Sequence, residues 1–199
     1  MLRLQIYGEF QLHWKACAID GPGGGGKSNL AAQLATDLGA TVISMDSFLL
    51  PESKYRLSAI AKNYDLDRFF EEVTEPLLDH RDINYRVMDQ ATGTLSTQKF
   101  NVPAGQKLII EGVYSLELSF RDSYDFTIFV DAPKDALMAR AFSLEIGGKS
   151  WLDKWLEGEE TYFVAQHPKL AATLVLDGTK PFPATAEIMN YLSEKRAEG

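Results

Sequence analysis

The stretch Gly21-Pro22-Gly23-Gly24-Gly25-Gly26-Lys27-Ser28 constrains this chain more than any other. It satisfies the phosphate-binding pattern G-x-x-x-x-G-K-[ST]. Backbone N–H groups in such a loop form a nest for a chain of phosphates. The lysine can reach the terminal phosphates, and the serine hydroxyl can ligate Mg²⁺. The surroundings fit the pattern. Ala16 to Ile19 is apolar and reads as a strand. Asn29 to Leu38 carries apolar residues at 30, 31, 34, 35 and 38, the spacing of one helix face, and Gly39 stands where a helix ends. A helix N-terminus at the loop adds partial positive charge where phosphates would lie. Gly21, Pro22, Gly23, Gly24, Gly25, Gly26, Lys27, Ser28 and Asn29 are therefore the candidate nucleotide-binding residues.

Composition limits the partners. The chain has 199 residues, 45% of them apolar, enough for one domain with one sizeable core. The net charge of −8 comes with no basic stripe, which argues against nucleic acid. A phosphate nest is a local cationic feature, so overall acidity leaves it intact. The single Cys17 lies in an apolar strand and reads as a buried structural thiol. No apolar run has membrane-span length and no signal-peptide shape begins the chain, so a soluble cytoplasmic protein is expected.

Strand and helix patterns alternate along most of the sequence. Leu2 to Trp14 suggests one or two short strands, and Thr41 to Met45 a strand ending at Asp46. Pro51 to Asn63 is irregular. Asp67 is expected to cap a helix over Arg68 to Leu78, kinked or ended near Pro76. Ile83 to Met88 and Leu95 to Val102 flank a Gly-containing loop and predict a β-hairpin. Lys107 to Ile110 and Phe126 to Val130 predict buried strands. Helices are expected over Lys134 to Glu145 and Trp151 to Phe163, broken by Gly147 and Gly148. A strand over Leu174 to Leu176 and a helix over Ala184 to Lys195 close the chain. This is the pattern of an α/β domain with a parallel sheet flanked by helices. Ligands in such sheets bind at the carboxyl ends of strands, where Asp46, Glu111 and Asp131 stand.

Phosphoryl transfer needs a phosphate cradle, a metal, a group that orients or deprotonates the acceptor, and cations facing the developing charge. Lys27 and the loop amides can supply the cradle. Ser28 and Glu111 are the candidate Mg²⁺ ligands, and Asp46 is the candidate base for an acceptor hydroxyl. Asp131 precedes Ala132-Pro133 and is expected to cap the following helix.

In this order and spacing, the loop, Met45-Asp46-Ser47-Phe48, Asn63-Tyr64-Asp65, Ile110-Glu111-Gly112-Val113-Tyr114 and Phe129-Val130-Asp131 resemble the uridine kinase and phosphoribulokinase-like group of P-loop kinases. The resemblance runs from about residue 16 to 180. It implies a P-loop NTPase fold over residues 1–199, with a hairpin insertion at about 83–102 beside the acceptor and a helical lid at about 140–163. It implies ATP as donor and a hydroxyl of a small molecule as acceptor. By position, it implies that Asp46 activates that hydroxyl, that Asp65 holds sugar hydroxyls, and that Glu111 belongs to the metal site. Arg140 would belong to the lid that closes over ATP. The acceptor pocket would gather Asp46, Asp65, Arg86 and Met88.

Two departures bear on substrate. Met88 stands where uridine–cytidine kinases carry a tyrosine, and no histidine lies near the hairpin tip. A pocket without those polar groups discriminates poorly for uracil. The lid is thin in cations: it offers Arg140, Lys149 and Lys154, with Leu144 and Glu145 where an Arg and an Asp are usual. The phrases Trp151-Leu152-Asp153-Lys154-Trp155 and Glu159-Glu160-Thr161-Tyr162-Phe163 resemble a bacterial uridine kinase-like subgroup, with the aromatics read chiefly as packing.

The first functional reading is thus an ATP-dependent kinase of a nucleoside-like, sugar or vitamin-precursor hydroxyl, with room for a homo-oligomer. The second is a nucleoside monophosphate kinase, since Ile19-Asp20-Gly21-Pro22 is similar to the start of cytidylate kinase loops. That chemistry needs arginines for a second phosphate, and residues 50–100 offer Arg56, Arg68, Arg81 and Arg86. The third is a non-catalytic nucleotide-binding regulator. No Asn-Lys-x-Asp guanine-reading motif is present.

Overall fold

The computed structural model describes residues 14–51, 60–61, 63–89, 92–143 and 149–198. The strands expected from Leu2 onward fall, except for Trp14, outside the described residues. So do positions 52–59, Leu144, Glu145 and the Gly147-Gly148 break, and the side chains of Lys149, Trp151, Lys154 and Trp155.

Five parallel strands form the main sheet. They are β1 (Ala16–Asp20), β2 (Thr41–Ser44), β5 (Leu108–Glu111), β6 (Phe126–Asp131) and β7 (Leu174–Asp177). Their order is β2-β5-β1-β6-β7. An antiparallel hairpin, β3 (Ile83–Asp89) and β4 (Thr94–Val102), stands apart as a second sheet. The helices are α1 (Lys27–Leu38), α2 (Leu66–Phe69, Phe70–Thr74 and Glu75–Leu78 in succession), α3 (Lys134–Ser143), α4 (Lys149–Gln166), α5 (Pro168–Ala171) and α6 (Thr185–Glu198). No helix among the described residues is long and apolar enough to cross a membrane.

Both faces of the sheet are covered, which is why β1 and β5 are apolar at every position up to their carboxyl ends. Alternate residues divide between two cores. Cys17, Ile19, Ile109 and Ile128 pack with Leu30 and Leu34 of α1 and Ile188 and Leu192 of α6. Ala16, Leu108, Ile110 and Ile43 pack with Phe69 and Val73 of α2, Tyr85 of the hairpin and Tyr162 of α4. Trp14 is buried and meets the ring of Phe126 edge-on at 5.3 Å. Cys17 is buried as expected, and burial pushes its thiol well above the ordinary cysteine range.

Three local readings need correction. The cap of α2 is Asp65, not Asp67: its carboxylate accepts from Arg68 N–H at 3.2 Å, and the helix starts two residues earlier than periodicity indicates. Pro76 neither ends nor breaks α2. The residues just before it, Phe70 to Thr74, widen into a π-helical turn. Such a turn accommodates a ring that removes one N–H and crowds the preceding carbonyls. Asp131 does not act as a helix cap, because its carboxylate is held by Lys169 Nζ at 2.6 Å. The hairpin also differs in detail from strict alternation. Ile83 and Tyr85 face the core, yet Met88 is buried as well. A register irregularity between Arg86 and Met88 re-aims the strand there.

Candidate active site

The P-loop joins the carboxyl end of β1 to α1. Two glycines are obligatory on steric grounds. A Cβ at Gly21 would lie 2.2 Å from Val130 O, and Gly21 has φ +138°. Gly26, the residue before α1, has φ +101°. The loop is tied inward at alternate amides. Gly21 N–H donates to Asp20 at 2.6 Å, Gly23 N–H to Glu159 at 3.0 Å, and Gly25 N–H to Pro22 O at 3.0 Å. Lys27 Nζ donates to Pro22 O at 2.8 Å, so its ammonium lies against the loop.

Glu111 ends β5 and neighbours the loop through the sheet register: Ile19 and Ser44 both stand opposite Glu111. Ser28 Oγ donates to Glu111 Oε2 at 3.2 Å, bringing the two candidate metal ligands together. Two hard oxygens beside a phosphate nest fit Mg²⁺, which keeps waters and phosphate oxygens in the rest of its shell. Gly112 follows with φ +137°, and a Cβ there would come within 2.7 Å of Met45 Cβ. That close approach brings the turn after β5 against the segment that carries Asp46.

Asp46 is exposed on a 3-10 turn, Met45–Phe48, at the end of β2. Tyr64 O–H donates to its Oδ1 at 3.0 Å, fixing the carboxylate. Burial is the main cause that holds the Tyr64 hydroxyl far above the ordinary tyrosine value, so it stays a donor. Residues 48–50 and 63–65 pair locally. Asp65 N–H bonds Phe48 O at 2.8 Å, Leu50 N–H bonds Asn63 O at 2.8 Å, and Leu49 bridges Tyr64. This pairing sets Asp65 against Phe48, two residues on from Asp46, but the Asp65 carboxylate is also engaged by Arg68, with Nε at 3.5 Å.

Arg68 organises the contacts around the Asp46 turn. It is 8% exposed and stacks over Phe48 at 4.3 Å. Its Nη2 donates to Ser47 O at 2.8 Å, and its Nη1 to Arg86 O at 2.8 Å and Glu72 at 3.2 Å. One buried guanidinium thus joins the Asp46 turn, α2 and the hairpin. Arg86 itself is paired with Glu72 at 3.4 Å. Met88 lies buried on the same strand.

Arg140 of α3 lies on the other side of the loop. Its Nη1 donates to Gly24 O at 2.8 Å and its Nη2 to Gly178 O at 2.6 Å. Gly178 follows β7 and presses on the loop, where a Cβ would fall 2.2 Å from Gly25 O. A cavity of about 660 Å³ opens here, lined by Gly24 and Gly26 to Asn29 on one side and by Arg140, Gly178 and Phe182 on the other.

Sequence reasoning passed over four of these parts. Asp20 is wholly buried and accepts from Gly21 N–H, Leu116 N–H at 2.9 Å and Tyr162 O–H at 2.7 Å. A charged residue closing an apolar strand was its one visible signal. Glu159 is 2% exposed on a helix whose packing the sequence signals only through its aromatics. Gly178 reads as ordinary punctuation after a strand. Tyr114 has φ +70°, rare for an aromatic residue, and this places its ring between Tyr64 at 5.2 Å and Tyr162 at 4.7 Å.

No protein-family model matches the chain. No curated protein matches it in sequence. Solved structures do match in fold. One, described as a possible uridine kinase from Bacillus stearothermophilus, superposes with a TM-score of 0.66 at 19% identity, covering 89% of this chain and 100% of that one. A second, a candidate fructose transport system kinase from a Silicibacter species, gives a TM-score of 0.57 at 22% identity, covering 88% of this chain and 98% of that one. The parallel sheet, the loop after β1 and the flanking helices are therefore similar in fold to P-loop kinases of the uridine kinase-like kind.

Proposed function

We propose that this chain is an ATP-dependent kinase that phosphorylates a hydroxyl group of a small molecule. The observation that carries the reading is one juxtaposition at the carboxyl ends of β1, β5 and β2. There the loop with Lys27, the Ser28–Glu111 pair and the Tyr64-held Asp46 follow each other across the sheet. Lys27 and the loop amides bind the phosphates and offset charge that builds on the transferred group. Ser28 and Glu111 would hold Mg²⁺, which supplies further positive charge at the phosphates. Asp46 accepts the proton of the acceptor hydroxyl as its oxygen bonds to the γ-phosphorus. The bond from that phosphorus to the bridging oxygen breaks, and ADP leaves. Arg140 and Phe182 line the cavity that suits the nucleoside end of the donor.

The acceptor class rests on the other flank. Nucleoside-like compounds, sugars and vitamin precursors share the required hydroxyl. Asp65, Arg86 and Met88 are the residues proposed to face them. The monophosphate reading is disfavoured by what three of the four arginines already do, Arg56 lying outside the described residues. Arg68 and Arg86 engage Glu72, and Arg81 engages Glu75 and Asp79. A phosphate clamp would have to break these pairs.

A thermal-shift and turnover screen tests the reading. Mg–ATP with a neutral nucleoside or sugar should raise Tm and yield ADP, and Lys27→Ala should weaken both binding and turnover. Stabilisation by a monophosphate instead, or full activity in Lys27→Ala, would contradict it.

A further inference from the structure

Helix α4 touches the phosphate-binding loop at two points. Glu159 Oε2 accepts from Gly23 N–H at 3.0 Å, and Tyr162 O–H donates to Asp20 at 2.7 Å. Residues three apart share a helix face. One face of α4 therefore holds both the middle of the loop and the residue before it. Glu159 is 2% exposed. Its charge also reaches the hydroxyls of Tyr64 and Tyr114, where it adds to the upward push of burial. The carboxylate thus touches the loop and lies within electrostatic reach of Tyr64.

A buried carboxylate needs donors to offset its lost hydration. Here one donor is an amide of the phosphate nest itself. An amide N–H carries one proton, so it cannot fully serve a carboxylate and a phosphate oxygen together. Two anions converging on one donor also repel. We propose that Glu159 is a positioning residue that competes with the terminal phosphate of ATP for Gly23 N–H, so that phosphate arrival drives Glu159 off the loop and shifts α4. This inference rests on the kinase reading, because it takes the loop as the phosphate site.

The surroundings allow such a movement. Asp20 is held by two backbone amides as well as by Tyr162, so the Tyr162 contact is the natural pivot. A cavity of about 490 Å³ adjoins the contact and is lined by Glu159, Lys134, His167 and Lys169, by the acidic Asp131 and Glu160, and by apolar side chains. It gives the displaced carboxylate room and polar neighbours. The coupling is reciprocal. Whatever holds α4 on the loop weakens ATP, and ATP weakens that hold by the same factor.

Calorimetric titration with Mg–ATP, Mg–ADP and AMP tests the proposal on the wild type, Glu159→Gln and Lys27→Ala. Gln keeps an oxygen for Gly23 N–H and removes the charge. Glu159→Gln should bind ATP about tenfold more tightly, ADP with a smaller gain, and AMP unchanged. A merely structural role would weaken all three or leave all three alike. Equal or weaker ATP binding in Glu159→Gln, or an equal gain for AMP, overturns the proposal. If Glu159→Gln does not fold, as judged by its melting curve, Glu159→Ala carries the same expectation. Wild type that binds none of the three nucleotides, with Lys27→Ala unchanged from it, means that the kinase reading has failed and this inference with it. Wild type that binds ATP without the predicted gain means that only the Glu159 proposal has failed.

Discussion

Asp20 is a carboxylic acid removed from water at the end of an apolar strand. It is wholly buried, and burial raises its pKa even though three donors and the charge of Lys27 act the other way. A raised pKa means that the native chain holds this proton more tightly than the unfolded chain does. Between the unfolded and folded values the native state binds more protons, so stability falls as pH rises through that window. Below the unfolded value the contribution is fully present. Asp20→Asn cannot ionise and lacks this dependence. The Tm of the wild type relative to Asp20→Asn should therefore fall as pH rises above the ordinary carboxylate value of about 4. Melting curves across that range check it, and a flat or rising difference would contradict it. Asp20 was legible as the last residue of a strand, but its burial was not. Burial depends on Tyr162 and Leu116, which lie 142 and 96 positions away along the chain.

Elements bring their own constraints, and the turn after β7 shows one. Gly178 N–H bonds Asp131 O at 2.7 Å, while its own carbonyl receives Arg140. Its Cα faces Gly25 O so closely that any side chain displaces backbone. Gly178→Ala should cost about 1–3 kcal/mol of stability, as overpacking does, and weaken ATP because the loop must shift. Denaturant unfolding and ATP titration measure the two effects; an unchanged ATP affinity would show that the contact is incidental. The same scale shows why some elements could be read in advance. β1 and β5 are apolar up to their last residue, β6 is apolar but for Thr127 and its final Asp131, and α1 has a full helical face closed by Gly39, whose φ is +65°. Those signals are local. The start of α2 was misplaced because two aspartates, Asp65 and Asp67, both suit a cap, and the pairing of residues 48–50 with 63–65 decides between them. The role of Asp131 was misplaced for a similar reason. Lys169, its partner, comes from a helix that only the folded chain brings near.

At the scale of the molecule, the strand order sets the chemistry. Placing β5 between β1 and β2 puts Glu111 beside the loop and Asp46 one strand further out. The cavity at Arg140 and Phe182 thereby lies on one flank and the Arg68-braced hairpin on the other, the two sides proposed above for donor and acceptor. The places of Lys27, Ser28, Glu111 and Asp46 in the loop and at strand ends were legible in the sequence because motif and strand patterns mark them, and their roles belong to the proposal. The supports Tyr64, Arg68, Glu159 and Gly178 were not legible, because each acts through a partner distant in sequence. The account's central claim is that Asp46 turns a phosphate cradle into a transfer site. Acceptor-dependent ADP formation by Asp46→Asn, measured beside its ATP affinity, tests that claim most directly. The account predicts unchanged ATP binding and transfer reduced by about 100-fold or more, the scale of a general-base contribution. Near-normal transfer by Asp46→Asn would contradict it.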